Sequence, residues 1–447
     1  MLANARVVTS LGAILSAVLW ILAGVGPVAA QPLPQQGAAS HLGVASCAGS
    51  TCHGAVEPFK TSNVLQNEYV TWKTKDKHFK AYEILTTPRS ERIAKNLGLP
   101  DAKTAKICLD CHADNVAQDK QGRTYQITDG VGCEACHGGA SSWLGIHITG
   151  GTHQDNLKAG LYPTDEPIAR AKLCISCHFG DSTKFVNHRI MGAGHPRMPF
   201  ELDTFTATQP AHYVVDDDYK KRKGDVSGAK IWAVGQTIQI TEVLDAMLDP
   251  SRNPPGIFPE LIYFDCQACH HPMTNVRWQP RATTGLGPGV VRFNDANILI
   301  LMAITERLAP EAAKQLRQRL PALHKATTES RDRTLAEAKA IRDITASLIQ
   351  TFAAHTFTND DIKALADRVI AGGLSGEFTD YAGAEQATMA LDSIITTMRH
   401  VGMMDEAKHK RAREALNKCY DATQNEDQYR PGTFTAALQV VRTAIAN

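Results

Sequence analysis

Five times along this chain a histidine directly follows the second of two closely spaced cysteines. The third instance sits in the run T-Y-Q-I-T-D-G-V-G-C-E-A-C-H-G-G-A-S-S-W-L-G-I-H, Thr124 to His147, with Cys133, Cys136 and His137 at its centre. Cys108, Cys111 and His112, then Cys174, Cys177 and His178, then Cys266, Cys269 and His270 repeat the C-x-x-C-H spacing. Cys47, Cys52 and His53 form a stretched version, with four residues between the thiols. C-x-x-C-H is the attachment signature of a c-type haem. On one helical turn, positions i, i+3 and i+4 face the same way. Two thiols can then bond the porphyrin edge while the histidine beside them reaches the iron. Paired cysteines also serve zinc ribbons and disulfides, but neither use requires a histidine after every pair. Histidine is 17 of 447 residues, so five chance placements are on the order of one in ten million and the haem reading prevails. A two-residue bulge still lets the first motif present both thiols. The expectation is five covalent haem c groups, each with its motif histidine as proximal ligand.

That expectation limits the fold. Only Ala113 to Gly132 separates the second motif from the third, which leaves no room for an apolar core between two haems. The macrocycles themselves must form much of the core, wrapped by loops and short helices. Each iron also has a second face, commonly taken by His or Met. His41, His78, His147, His153, His188, His195, His212 and His271 are candidates for it. His147 follows His137 too closely to wrap round the same haem and reads as a ligand for a neighbouring one. His78 lies in a helical stretch from Leu65 to Leu85. His188 and His195 flank Met191 in a Gly-containing run and rank above it. His271 cannot ligate the iron that His270 holds; it serves an adjacent haem or hydrogen-bonds at the surface. The distal candidates singled out are His78, His147, His188, His195 and His271. Thr124 to Thr128 alternates as a short strand would.

Residues 1–30 read as an export signal. Met1 to Arg6 carries one positive charge, Val7 to Val25 is largely apolar, and Val28-Ala29-Ala30 is a small-residue cleavage site. An uncleaved anchor is the alternative. Either way the body lies outside the cytoplasm, in the periplasm or at the cell surface. The net charge of +1 gives no reason to expect a nucleic-acid partner. Residues 31–282 form the expected pentahaem domain, with an amphipathic helix over Ile231 to Leu248 packing on the haem array. From 283 to 447 helical periodicity takes over: Ile341, Ile344, Leu348 and Phe352 line one face, as do Leu391, Ile394, Ile395 and Met398. Thr358 reads as an N-cap and Gly372-Gly373 as a stop. The fold class is mainly α: a multihaem cytochrome c module with little regular structure beyond helices and loops, followed by an all-α helical bundle. Cys419, the eleventh cysteine, reads as a buried small hydrophobe. His324, His355, His400 and His409 read as surface or core residues.

The quoted residues resemble the cytochrome c-554 family of multihaem c-type cytochromes. The resemblance rests on G-V-G-C-E-A-C-H-G at Gly130 to Gly138, on His147 after it, and on Trp72 with His78 after the first motif, and it covers about Leu42 to His195. It implies that the first and third haems form a stacked pair. It further implies that His147 caps the haem of His53, and His78 the haem of His137. Members pass electrons in the periplasm. The founding type has four haems, one of them five-coordinate and reactive with nitric oxide; by order that open haem corresponds to the one at Cys108, Cys111 and His112. This chain departs from the pattern in its fifth motif, its stretched first motif and its C-terminal bundle.

The leading functional expectation is a pentahaem electron carrier or relay with mostly bis-histidine haems, working with redox partner proteins. A redox enzyme acting on nitric oxide, nitrite or hydroxylamine at one open haem, with His112 as the candidate site, is the alternative. No C-x-x-C-K run is present, which the pentahaem nitrite reductases use at their active haem. A third reading is a haem-bearing subunit docked on a membrane or surface electron conduit. A homo-oligomer stays open in all three.

Overall fold

The computed structural model describes residues 31–62, 64–253, 258–271, 281–287, 290–378 and 380–446. The expected export signal lies outside them. Helices dominate, and β-pairing among the described residues is confined to isolated bridges such as Phe264 with Phe293. The chain is mainly α.

Up to residue 165 the helices are short. They include α1 (Glu68–Lys75), α2 (Lys106–His112), α3 (Cys133–His137) and α4 (Leu144–Ile148). The second motif ends α2 and the third motif is the whole of α3. The helix expected over Leu65 to Leu85 is broken at Asp76, whose extended backbone ends α1 before the chain resumes helix at Ala81. Nor does Thr124 to Thr128 form a strand. The Tyr125 amide turns back onto the Gly122 carbonyl at 3.1 Å, and Ile127–Asp129 is a single 3-10 turn. The largest group of buried apolar residues here is one small cluster, Leu85, Ala94, Ala102, Leu109 and Ala113, while others such as Val44, Val116, Trp143 and Tyr162 are buried apart from it.

From Pro167 onward the packing changes. α5 (Pro167–His178) carries the fourth motif at its C-terminal end, and the short α6 (His188–Gly192) and α7 (Leu202–Thr208) follow. Next come the long α8 (Gly228–Leu248) and then α9 (Ala296–Leu308), α10 (Pro310–Ala326), α11 (Arg331–Ala354), α12 (Asn359–Leu374), α13 (Tyr381–His400), α14 (Glu406–Ala422) and α15 (Pro431–Ala446). Apolar residues at helical spacing place Ile341, Leu348 and Phe352, and Leu391, Ile394, Ile395 and Met398, in the interior. Thr358 caps α12 in a reciprocal capping box with Asp361, though the helix runs through Gly372 and Gly373 before ending. Cys419 is buried and unbonded, and burial pushes its thiol up to about 12.

α8 is not a one-sided cover. Trp232 to Thr241 is buried on every face, because α8 packs on α11 behind it and on α5 in front. One apolar core therefore runs from Ala171 and Ile175 on α5 to Val441 on α15. It does not stop near residue 283.

Candidate haem sites

Each of the five motif histidines faces a second histidine. The ring centres of His53 and His147 are 6.0 Å apart. Those of His112 and His195 are 6.4 Å apart, and those of His137 and His212 6.2 Å. His178 faces His78 at 6.2 Å, and His270 faces His188 at 6.2 Å. None of these pairs is in van der Waals stacking contact. An iron between two imidazoles, with metal–nitrogen bonds of about 2.0 Å and about 1.1 Å more from nitrogen to ring centre, needs ring centres about 6.2 Å apart. The residues fit an axially coordinated metal in all five places. Among the described residues no group of three or more His, Cys, Asp and Glu side chains gathers as a single zinc ion would need.

The far nitrogens fit as well. Four rings turn Nδ1 to a fixed acceptor: His53 to Glu68 at 2.9 Å, His78 to Asp76 at 2.9 Å, His112 to the Ala81 carbonyl at 3.0 Å, and His195 to the Pro196 carbonyl at 2.9 Å. That leaves Nε2 for the metal and fixes the ring's rotation. Burial lowers the pKa of His112, His147 and His195, takes His178 down to about 4 and His137 to about 3. Those rings stay neutral at neutral pH, the form that binds metal. His53 goes the other way, raised chiefly by its hydrogen bond to Glu68.

Cysteines of different motifs meet too. The Cys47 thiol lies against Cys133, and Cys111 against Cys177, close enough that each raises or lowers the other's proton affinity. The first motif thus adjoins the third, and the second adjoins the fourth. The fifth stands apart from these contacts. Cys266 lines a cavity of ≈ 970 Å³, its open mouth included, whose walls also contain His178, Arg197, Tyr381, Glu385 and Glu426. Arg197 crosses that cavity's wall to Glu385 at 2.7 Å and packs its guanidinium over the Tyr381 ring at 5.0 Å. The helical bundle therefore builds one side of the space beside the fifth motif.

Some expected residues are placed elsewhere. His78 faces His178, where the resemblance implied His137, and His212 stands at His137 instead. The physical reason is Asp76. Its Oδ1 accepts both the backbone N–H and the Nδ1–H of His78, at 2.9 Å each, and its Oδ2 accepts the Gln209 amide at 2.9 Å. This clamp turns His78 toward the fourth motif and draws the loop bearing His212 over the third. His271 sets Nδ1 2.7 Å from the Gln267 carbonyl and is none of the five facing rings. His153 Nε2 is 2.9 Å from Asp165. His41 is fully buried, with Nδ1 2.7 Å from Asp114 and Nε2 3.3 Å from the Pro34 carbonyl. Both of its nitrogens are engaged within the protein.

Three carboxylates escaped the sequence reading. Glu134, between the cysteines of the third motif, is 2% exposed. Its oxygens accept the backbone N–H groups of Leu42, Gly43 and Ala140, each at 2.7 Å. Gly43 holds φ at 99°, and a Cβ there would sit 2.3 Å from the Thr124 carbonyl oxygen. Only glycine lets the chain pass so close. Asp76 had a usable signal, an acidic residue two positions before a candidate ligand. Glu68, remote in sequence from His53, had none.

A family model for cytochrome c554 and c-prime matches residues 46–138, the span of the first three motifs. The chain is a c-type cytochrome resembling that family. It carries covalently bound haem c and has an electron-transfer role of the general c-type kind. No curated protein and no solved structure matches it. The family match suggests an exported protein, and among the described residues no helix is long and apolar enough to cross a membrane.

Proposed function

We propose that this cytochrome is a periplasmic pentahaem electron relay in which all five irons have two histidine ligands. One observation carries the reading: every motif histidine faces a second histidine at a separation that suits an intervening iron. The ligand pairs are His53 with His147, His112 with His195, His137 with His212, His178 with His78, and His270 with His188. Cys47 and Cys52, Cys108 and Cys111, Cys133 and Cys136, Cys174 and Cys177, and Cys266 and Cys269 are the attachment thiols. Bound there, haem c supplies one-electron ferric/ferrous chemistry. The chain's own part is to hold ten imidazoles in place, and burial favours the neutral form of His112, His137, His147, His178, His195 and His212. It also brings the first motif against the third and the second against the fourth, so that the centres adjoin. His195 stands over His112, the position at which an open haem was the alternative. Redox proteins are the partners of such a relay, free or as part of a membrane-associated complex.

The test is total haem by the pyridine haemochrome method, then the carbon monoxide difference spectrum of the reduced protein scaled to it. Five haems per chain and no carbon monoxide binding are expected. Binding at about one haem in five would overturn full bis-histidine ligation and put an enzyme at that site first.

A further inference from the structure

The facing rings differ in what anchors the nitrogen turned away from the partner. At the first site, His53 donates to a carboxylate, Glu68. At the fourth, His78 donates to a carboxylate, Asp76. At the second, both rings donate to neutral backbone carbonyls, those of Ala81 and Pro196. The two carboxylates are well fixed. Glu68 also accepts the Gln66 N–H at 3.1 Å. Asp76 is 5% exposed and gives both oxygens to hydrogen bonds. Among the described residues their ion pairs are with these histidines, and no lysine or arginine neutralises either.

A carboxylate on the far N–H of a ligating imidazole makes the ring a stronger donor. It also sets a negative charge near the metal in a medium that screens it poorly. Both effects favour the ferric state, which carries one more positive charge than the ferrous. A backbone carbonyl orients the ring without that charge.

We propose that Glu68 and Asp76 are redox-positioning residues that set the potentials of the first and fourth haems below that of the second. The inference rests on the bis-histidine reading. It gives the adjoining second and fourth sites a direction: one electron leaves the fourth centre, ferrous to ferric, and reduces the second, ferric to ferrous. No bond is made or broken, and the proton stays on Nδ1.

The experiment is a potentiometric titration of the holoprotein, with each haem followed by assigned NMR or EPR signals. It compares the natural chain with Asp76→Asn and Glu68→Gln, which keep shape and remove charge. In the natural chain the second haem should have a higher midpoint than the first and the fourth. Asp76→Asn should raise the fourth midpoint most, by about tenfold in the oxidised-to-reduced ratio, about 59 mV for one electron, with any smaller shift confined to the third, whose His212 loop Asp76 also holds. Glu68→Gln should raise the first most, by a similar or smaller shift, since Glu68 is the more exposed of the two. The proposal is overturned if the spectra stay low-spin and the midpoints do not move, or if all five move together. Where a variant loses haem, the order in the natural chain decides: a second haem below the first or the fourth overturns the proposal. A high-spin ferric signal from the first or fourth haem of the natural chain would mean the ligand reading had failed, and the proposal with it.

Discussion

Residues 31–165 and the region from Pro167 onward are built on different physics. The second region closes round a single apolar core that reaches from α5 to α15 and buries Trp232, Phe352, Leu391 and Phe434 along its length. The first clusters only five of its buried apolar residues together and leaves the others scattered, and its shape is set by polar contacts: Glu134 holding three amides, Asp76 clamping His78, and His41 on Asp114. Fixed polar groups give a chain direction, but they supply little of the area-proportional stabilisation that burial does. The difference teaches that the first region is a frame for something apolar and large, whereas the second builds most of its core from its own side chains. α5 belongs to both. It carries Cys174, Cys177 and His178 on one side and sends Ala171 and Ile175 into the bundle core.

The largest effect should come from withholding haem attachment. Produced without cytochrome c maturation, the chain should lose order over residues 31–165 and keep it from α8 onward, since binding and folding are coupled where the group supplies the core. Limited proteolysis with mass spectrometry reads this directly. A resistant fragment beginning near Pro167 or Gly228 is expected. Protection of residues 31–165 equal to that of the bundle would break the comparison.

How much of this could be read in the sequence follows the same division. The bundle was legible because apolar spacing at 3.6 residues is a local signal, and Ile341, Leu348, Phe352 and Ile394 are buried as their spacing requires. The motifs were legible because covalent attachment fixes residue type and spacing together. α8 misled because a helix at the centre of a molecule can keep polar residues such as Gln236, Thr237 and Gln239 by pairing them inside; Gln236 bonds to Gln386 at 3.0 Å. The partners of the motif histidines were only half legible. His78, His147, His188 and His195 can be singled out and each faces a motif histidine, but so can His271, which does not, while His212 stands only in the wider set. Which ring faces which depends on contacts such as Gln209 to Asp76, between residues 133 positions apart. No spacing rule reports those.

A buried charge network at the join between the fifth motif and the bundle sharpens the comparison from the other side. Arg281 pairs with Asp295 and reaches Asp380 at 2.7 Å; Arg292 meets Asp265, the residue before Cys266, at 2.9 Å; His324 is 3.0 Å from Asp295. Burial disfavours the Asp295 charge, but Arg281, His324 and Arg292 outweigh it and hold its pKa far below the usual range. Asp295→Asn leaves Arg281 short of its counter-charge in the interior, which costs about 3–5 kcal/mol. The denaturation midpoint of the helical circular dichroism should fall accordingly. The midpoint potentials of the first and third haems should stay where they are, because that region does not use the network. A loss below about 1 kcal/mol would show the pair to be dispensable, within the range of ordinary surface changes.

The smallest effect belongs to His41, which ties the N-terminal segment to the second motif's loop. Burial lowers its pKa, but the hydrogen bond to Asp114 and the charges of Asp114 and Glu134 prevail, so it lies above the ordinary 6.5. With a folded-state pKa above the unfolded one, the contribution is fully present below the unfolded value. It is lost as pH rises through the folded value. Amide exchange of residues 31–46 should therefore quicken, beyond the intrinsic base-catalysed rate, as pH rises from about 6 through the neutral range. The bundle amides should show no such excess. In His41→Gln the excess should vanish, since glutamine keeps a donor near Asp114 and does not titrate. An excess that survives in that variant would assign the pH dependence to another group, and would leave His41 as packing alone in a region otherwise organised by its polar contacts.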